Sequence, residues 1–189
     1  MNPLIGTSIG VGLSTSSGFR VLVPFFCLSA AAVFGDMTLP PSMEWMDNQV
    51  VLLGLGIACL IEVAAFYVPW VNNALDAVEL PAAIIAGTYL TGAFAADLPT
   101  LMQWSLALAV GGGSAGSIHG LTGVTRLASN ATTGGCASLV TATIELFSSI
   151  VLAVLAITVP LLALGLVIFL VVFAVRRGRR WRTRQSSEF

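Results

Sequence analysis

The sequence predicts an all-α membrane protein of about six transmembrane helices, and three observations predict that fold class. Of the 189 residues, 57% are hydrophobic and only 9% are charged, whereas a soluble domain carries about 25% charged residues. The mean hydropathy is +0.95. The apolar residues also gather into runs, several of which are long enough to cross a hydrocarbon core of about 30 Å. We therefore expect a multi-pass protein that has the lipid bilayer as its solvent.

The expected spans form a single transmembrane domain over residues 1–175, which is followed by a basic tail at 176–189. They run at about 4–34, 49–68, 80–96 and 100–128, and as two further spans between 138 and 175. Pro160 separates the last two, because the apolar run there is too long for one crossing and proline removes a backbone donor.

Short polar stretches connect these spans. Residues 35–48 combine three acids with a Pro-Pro pair and predict a loop. Residues 71–79 place apolar side chains at helical spacing with acids opposite, which predicts a short interfacial helix. Pro81 then suits the first turn of the third span, and residues 130–135 predict a turn.

The order of the spans indicates an internal repeat. Residues 4–96 and residues 100–175 each contain a helix rich in small residues with an arginine, a helix with a glutamate and a plain helix. Three spans per unit is an odd number, so the two units would cross the membrane in opposite directions. This is the inverted-repeat arrangement of many transporters.

The charge distribution predicts the topology. All eight basic residues are arginines, and six of them lie between Arg176 and Arg184, directly after an apolar run. The positive-inside rule places this tail in the cytoplasm, where it would contact anionic lipids. The acidic, base-free loop at 35–48 is then expected outside. With six spans, both termini are cytoplasmic.

Four ionisable residues interrupt the apolar spans and are the main candidate site: Arg20, Glu62, Arg126 and Glu145. An arginine at the centre of a membrane helix costs about 2.5–3.5 kcal/mol on insertion scales, so it needs a partner, a cavity or an ion. One interpretation is two structural ion pairs. The other is a polar pathway in which Arg20 binds an anion or a glutamate carries protons or cations. The residues alone leave both open.

The partner of Arg20 is expected on a different segment, because no acid lies within one helical turn of it. Glu62 is favoured over Glu145, since a short connection usually joins neighbouring antiparallel helices. The first span is expected to bend near residues 14–18 or at Pro24.

Three more polar residues extend the candidate pathway: Ser16 and Ser17 beside Arg20, and His119, the only histidine. An imidazole titrates near neutral pH and could relay protons. The alternative is a hydrogen-bonded packing residue beside a row of glycines.

Small residues recur every four positions in the two arginine-bearing spans, which lets helices approach closely. The candidate packing positions are Gly12, Gly18, Gly112, Gly116 and Gly120.

Enzymatic and metal sites are not expected. Cys27, Cys59 and Cys136 are far apart in the sequence, and a lone histidine does not complete a metal site. Residues 112–116 match the G-x-S-x-G pattern around Ser114, but a nucleophile elbow needs a strand that turns into a helix. We therefore expect no enzyme, no cofactor and no nucleic-acid partner.

Several of these residues also carry a resemblance to a known family. They are Ser17 to Arg20, Pro24, Glu62, Pro69, Asn73 to Asp76, Pro81, Gly87, Gly112 to His119, Arg126, Asn130, Glu145 and Pro160. The chain resembles, over nearly its whole length, a bacterial integral-membrane family catalogued as domain of unknown function 4126. The resemblance implies an integral membrane fold in a bacterial inner membrane, and it implies no established activity.

Two functions follow as hypotheses. The first is a small transporter or channel for a small ion or polar solute that uses the Arg/Glu polar site in the membrane, with a homodimer as the favoured oligomer. The second is a non-transporting scaffold or interaction protein, in which the buried charges only lock helices together. A solvent-reachable cavity at Arg20 and Glu62 would favour transport, and a dry, fully paired core would favour the scaffold.

Overall fold

The computed structural model describes residues 2–35, 37–67, 69–133, 136–170 and 172. The structure is 87% helix, and no strand occurs within the described residues. The α-helices are α1 (Pro3–Ser17), α2 (Val23–Gly35), α3 (Gln49–Phe66), α4 (Pro69–Phe94), α5 (Thr100–Leu106), α6 (Gly113–Thr133), α7 (Cys136–Thr158) and α8 (Pro160–Leu170). A 3₁₀ helix covers Pro41–Met46, and a π-helical turn at Ala107–Gly112 joins α5 to α6. The predicted tail at 176–189 lies outside the described residues.

The helices have the apolar surface of a membrane protein. Three stretches are long and apolar enough to cross a bilayer: Gln49–Phe66, Ala77–Phe94 and Val140–Thr158. The helices α2 and α8 are apolar but shorter. Large hydrophobic side chains face outward along these helices, among them Leu60, Ile85 and Phe147, each about 70% exposed. A soluble monomer rarely exposes so continuous an apolar surface.

Helix α1 runs antiparallel to α4 and to α7. Gly10 lies against Thr91 of α4, and the Ser14 hydroxyl reaches the Gly87 carbonyl one turn earlier in α4. The same order holds on the other side, where Gly12 lies against Ala156 of α7 and Ser16 bonds to Ser149.

Helix α2 runs antiparallel to α3. The backbone N–H of Leu22 donates to Glu62, the Phe26 ring lies beside Gly56, and Ser29 bonds to the Met46 carbonyl just before α3. Helix α4 returns toward the 37–48 loop, since Tyr89 donates to the Ser42 carbonyl. Because α1 opposes α4, α4 opposes α3 and α3 opposes α2, the first two helices are antiparallel to each other.

The predicted single span over residues 4–34 is therefore wrong. Instead, α1 and α2 form a re-entrant hairpin, which enters the bundle and returns to the end that carries the 37–48 loop (the loop end). The tip of this hairpin is Gly18–Leu22, which is not helical. The observed break at Gly18–Leu22 lies next to the predicted 14–18 bend. Pro24 occupies the first turn of α2, where a missing N–H costs nothing.

The hairpin places α1 in the centre of the bundle, where every residue from Ser8 to Ser17 is buried. Glycines make this possible: an added Cβ on Gly10 would lie 2.9 Å from the Cα of Thr91, and one on Gly18 would lie 2.6 Å from the carbonyl oxygen of Ala115. Neighbours α4, α6 and α7 thus contact the α1 backbone directly. This close approach is the one that the small-residue spacing predicts.

Helix α4 differs from the sequence expectation. It is continuous over Pro69–Phe94 with Pro81 inside it, so no separate interfacial helix ends at residue 79 and Pro81 does not begin a span. A proline inside a membrane helix is tolerated when neighbouring groups satisfy the freed carbonyl.

The second half of the chain also differs from the sequence prediction, at the turn expected over residues 130–135. Helix α6 continues to Thr133, past the start of the predicted 130–135 turn. The division at Pro160 is confirmed, because α7 ends at Thr158 and α8 begins after Val159.

Helices α5 and α6 follow each other without a break through the π-helical turn, and both contact α4. Gln103 bonds to the Gly92 carbonyl, and Gly116 lies against Ile84 further along the same pair. Between them the π-helical turn brings Gly111 into contact with Thr91 and with the Gly87 carbonyl. Single π turns often mark functional segments of helices.

The hairpin predicts an unusual topology. In a cysteine-free background, Leu4→Cys and Ser42→Cys should react with an impermeant thiol reagent from the same side of the membrane, and Ser186→Cys from the other side. The single-span interpretation places Leu4 with Ser186 instead. Labelling of Leu4→Cys and Ser186→Cys from one common side would rule out the hairpin in the membrane-embedded protein.

The central position of α1 also predicts opposite effects of one substitution at two glycines. An added Cβ on Gly12 would lie 2.6 Å from the Cβ of Ala156, whereas one on Gly54 would meet no atom within 4 Å. Gly12→Ala should therefore destabilise by about 1–3 kcal/mol through overpacking. Gly54→Ala should stabilise by up to about 1 kcal/mol, since alanine is the better helix former. Thermal unfolding in detergent measures both, and a neutral Gly12→Ala would contradict the packing.

Candidate functional site

Arg20 lies at the hairpin tip with 0% of its side chain exposed. Its Nη2 donates to the Ala142 carbonyl over 3.4 Å and lies 3.7 Å from Oε2 of Glu145, a distance too long for a hydrogen bond. Its Nε and Nη1 have no acceptor within the part of the chain that the structure describes. A guanidinium carries five N–H donors, so Arg20 is poorly satisfied for a buried charge.

Arg126 and Glu145 form the tight ion pair of the site. Nη2 of Arg126 lies 3.0 Å from Oε1 and 2.9 Å from Oε2 of Glu145. Arg126 is 1% exposed and Glu145 is 5% exposed, so the low-dielectric surroundings strengthen their attraction. The two arginines thus share one carboxylate, but Arg126 holds it at hydrogen-bond distance and Arg20 does not.

The Phe66 ring completes this group. It is fully buried at the end of α3. The Cζ of Arg20 lies 3.5 Å from the ring centroid, and the Cζ of Arg126 lies 4.8 Å from it. Both distances suit cation–π attraction, which is stronger away from water. One aromatic ring therefore contacts both guanidinium groups.

Glu62 is not the ion-pair partner of Arg20, so the favoured pairing is wrong. Its Oε1 accepts from the Val21 N–H over 2.9 Å, and its Oε2 accepts from the Leu22 N–H over 3.3 Å. These donors precede α2 and have no intrahelical partner, so Glu62 acts as the cap of that helix. The single-span interpretation contains no such turn, and therefore no competing use for the carboxylate.

Two further ionisable residues are buried nearby. Glu79 is 7% exposed and is close enough to attract the charge of Arg20. The sequence pattern predicts it on the polar face of an interfacial helix, but α4 carries it into the bundle. His119 is 3% exposed and lines a cavity of about 300 Å³ with Leu80, Gly120 and Gly123.

The hydroxyls of Ser16 and Ser17, both predicted to belong to the pathway, make hydrogen bonds to other helical residues. Ser16 donates to the Ser149 carbonyl and contacts its hydroxyl, while Ser17 donates to the Ser14 carbonyl. Both are fully buried. These hydrogen bonds stabilise α1 and its contact with α7 next to Arg20. In this structure the two hydroxyls therefore have a packing role.

The candidate packing glycines differ in their surroundings. An added Cβ would collide at Gly12, Gly18, Gly112 and Gly116. At Gly120 it would meet no atom within 4 Å, because this glycine borders the His119 cavity. The seam on α6 therefore ends one turn before the sequence pattern does.

The remaining sequence candidates give no constellation of groups. Within the described residues, no group of three His, Cys, Asp or Glu side chains could hold a metal ion. Ser114 lies in the first turn of α6 and bonds to the Gly111 carbonyl, so it is not on a strand-to-helix elbow.

A family model described as a domain of unknown function (DUF4126) matches residues 7–180. The chain belongs to this family. No curated protein and no solved structure matches the chain. The DUF4126 match contains the hairpin tip, all four predicted charged residues and Phe66, and it confirms the family resemblance. Because the family description names no activity, function has to be argued from the site.

The sequence analysis did not identify Phe66 and Glu79 as neighbours of the buried charges Arg20, Arg126 and Glu145. Phe66 follows Glu62 by four residues, which places both on one face of α3, so helical spacing could have identified it. Glu79 could have been found only by extending α4 backward through Pro81.

The site predicts which pair of charges is coupled. Arg126→Met and Glu145→Leu should each destabilise by about 3–5 kcal/mol, because each leaves a buried charge without its partner, and the double variant should recover part of the loss. Arg20→Met and Glu62→Leu should show a smaller coupling energy than that pair, since their side chains make hydrogen bonds to different partners. Thermal unfolding in detergent gives both cycles. A larger coupling energy between Arg20 and Glu62 than between Arg126 and Glu145 would overturn the assignment.

Proposed function

We propose that this chain is a small membrane transport protein, a channel or a transporter, that moves a small ion or polar solute past the Arg/Glu cluster. The observation that carries the proposal is the re-entrant hairpin, whose non-helical tip puts Arg20 inside the bundle. Non-helical backbone at membrane depth is tolerated only where it is buried in protein or lines a water-filled cavity. Transporters build their substrate sites at such interruptions.

The hydrogen bonding of Arg20 also supports transport. Buried polar groups in a static core are almost always hydrogen-bonded, and each unsatisfied donor costs about 1–3 kcal/mol, more when charged. Arg20 makes a single side-chain hydrogen bond, of 3.4 Å, within the described part of the chain. A protein that needed this charge only to lock helices together would gain stability from a fully paired arginine or from an apolar residue.

The helix directions support an inverted repeat with a revised composition. Helices α2, α3 and α4 run toward the loop end, away from it and toward it again. The α5–α6 crossing, α7 and α8 run in the opposite sense, since Ala156 and Ala163 both face Gly12 on either side of Val159. We therefore propose two units, α2–α4 and α5–α8, with five full crossings: α3, α4, α5–α6, α7 and α8. Helix α2 extends only from the hairpin tip to the loop end, and α1 is an additional element in the centre.

The same proposal includes the location. The arginine-rich tail favours a cytoplasmic end opposite the loop end, in a bacterial inner membrane. The start of α1 would then lie outside with the 37–48 loop, so the expectation that both termini are cytoplasmic is replaced for the N-terminus. A homodimer and contact of the tail with anionic lipids remain part of the proposal.

The scaffold alternative is supported by a different observation, the tight pair of Arg126 and Glu145. That pair joins α6 to α7 at 2.9–3.0 Å and needs no solute to explain it. The absence of exposed surface at Arg20 also favours the scaffold by the criterion given above. Among the described residues, however, the charge of Arg20 is not fully paired, and for that reason transport is the preferred function.

Osmotic swelling of proteoliposomes tests transport over a series of candidate solutes. In isosmotic chloride, nitrate, acetate and polyol solutions, the wild type should swell faster than protein-free vesicles for at least one solute. Arg20→Met should remove that increment. Arg184→Met, which removes one tail arginine, is the matched control and should leave it unchanged. Swelling that stays at the protein-free rate across the series, with folded protein in the vesicles, would favour the scaffold.

A further inference from the structure

We propose that the guanidinium of Arg20 binds a small monovalent anion at the tip of the α1–α2 hairpin. The inference rests on the proposed transport function and assigns it a substrate class. Chloride, nitrate, formate, acetate and bicarbonate all share the required chemistry, which is one negative charge on a small acceptor.

Arg20 has more N–H donors than the described residues satisfy. Arg20 has no exposed surface, so bulk water does not reach its N–H groups. Its Nη2 reaches the Ala142 carbonyl at 3.4 Å, while Nε and Nη1 have no acceptor among the described residues. A bound acceptor would remove the free-energy cost of leaving these charged donors without a hydrogen bond. An anion would make those hydrogen bonds charge-assisted and therefore stronger.

The carboxylates of Glu145 and Glu62 already accept hydrogen bonds from other donors. Glu145 binds Arg126 through both oxygens, and Glu62 accepts from the two backbone N–H groups that open α2. Neither carboxylate offers Arg20 a hydrogen bond. The 3.7 Å approach of Glu145 gives attraction without occupying the donors, so an exogenous anion can bind Arg20 while Arg126 keeps Glu145.

The groups around Arg20 limit the size and the charge of the ligand. The Phe66 ring covers one face of the guanidinium at 3.5 Å, so a ligand would approach the guanidinium edge. Because Arg20 has no accessible surface, the Arg20 side chain has to move to admit the anion. The hydroxyls of Ser16 and Ser17 are bonded elsewhere and add no donors. One guanidinium edge neutralises one charge, and the negative charges of Glu62, Glu79 and Glu145 oppose a second. A divalent anion such as sulfate is therefore disfavoured.

The test measures binding apart from flux. Purified full-length protein in detergent is unfolded by heat in sodium gluconate, and gluconate is replaced stepwise at constant ionic strength by nitrate, chloride, acetate or sulfate. A monovalent anion should raise Tm saturably, on the order of 5 °C at a hundredfold excess over its Kd. Sulfate should give no saturable rise. Arg184→Met should behave as the wild type.

Variants at the site complete the test. Arg20→Met should lose the anion-dependent rise, and Arg20→Lys should weaken it at least tenfold, because a lysine ammonium lacks the donor geometry of a guanidinium. If Arg20→Met fails to fold, Arg20→Lys and a one-to-one isotherm of labelled nitrate on the wild type decide the matter. An anion effect of equal size in wild type and Arg20→Lys would overturn the proposal, as would the absence of any saturable effect in the wild type.

The two proposals fail in distinguishable ways. If no anion shifts Tm but swelling shows Arg20-dependent passage of a polyol, the anion site is wrong and transport stands. If anions bind through Arg20 and none crosses the membrane, the site stands and transport fails.

Discussion

The burial of one guanidinium is the constraint on which the rest of the structure depends. Arg20 has no exposed surface, and everything that stabilises its charge comes from other helices. The Phe66 ring comes from α3, and the Ala142 carbonyl and the Glu145 carboxylate come from α7. The hairpin tip therefore ties the first two helices to the second half of the chain, although more than a hundred residues separate Arg20 from Glu145 in sequence.

Close packing against neighbouring helices holds α1 inside the bundle. Glycines bring the α1 backbone against α4 and α7, and the hydroxyls of Ser14 and Ser16 bond across those interfaces. In a membrane, lipid tails are as apolar as the helix surfaces, so helices associate through close van der Waals packing and interhelical hydrogen bonds. The hairpin is thus held along its length by van der Waals contact and at its tip by electrostatics.

The sequence could predict the kinds of residues in this site but not how they pair. Apolar runs and four isolated charges indicate membrane helices and a buried polar group, and the DUF4126 match confirms the family. The hairpin was beyond prediction, because about 30 apolar residues with a polar break fit one bent span as well as two antiparallel helices. The pairing error followed from it: without a turn at Val21 and Leu22, Glu62 has no backbone donors to cap and is left for Arg20. Glu79 was misplaced for a similar reason, since Pro81 suggested a helix start that α4 does not have.

The two ends of the hairpin differ in a way that bears on motion. The body of α1 is fixed, because Gly10 and Gly12 have no room to slide past Thr91 and Ala156. The tip is joined to α2 by non-helical backbone, and its arginine is held by one long hydrogen bond and a ring contact. Conformational change concentrates where few bonds must break. Under the proposed transport function, the Arg20 side chain would therefore move, while Glu62 holds the backbone of Val21 and Leu22 in place. The Arg126–Glu145 ion pair, 3.7 Å from Arg20 through Oε2 of Glu145, would keep its place during that motion.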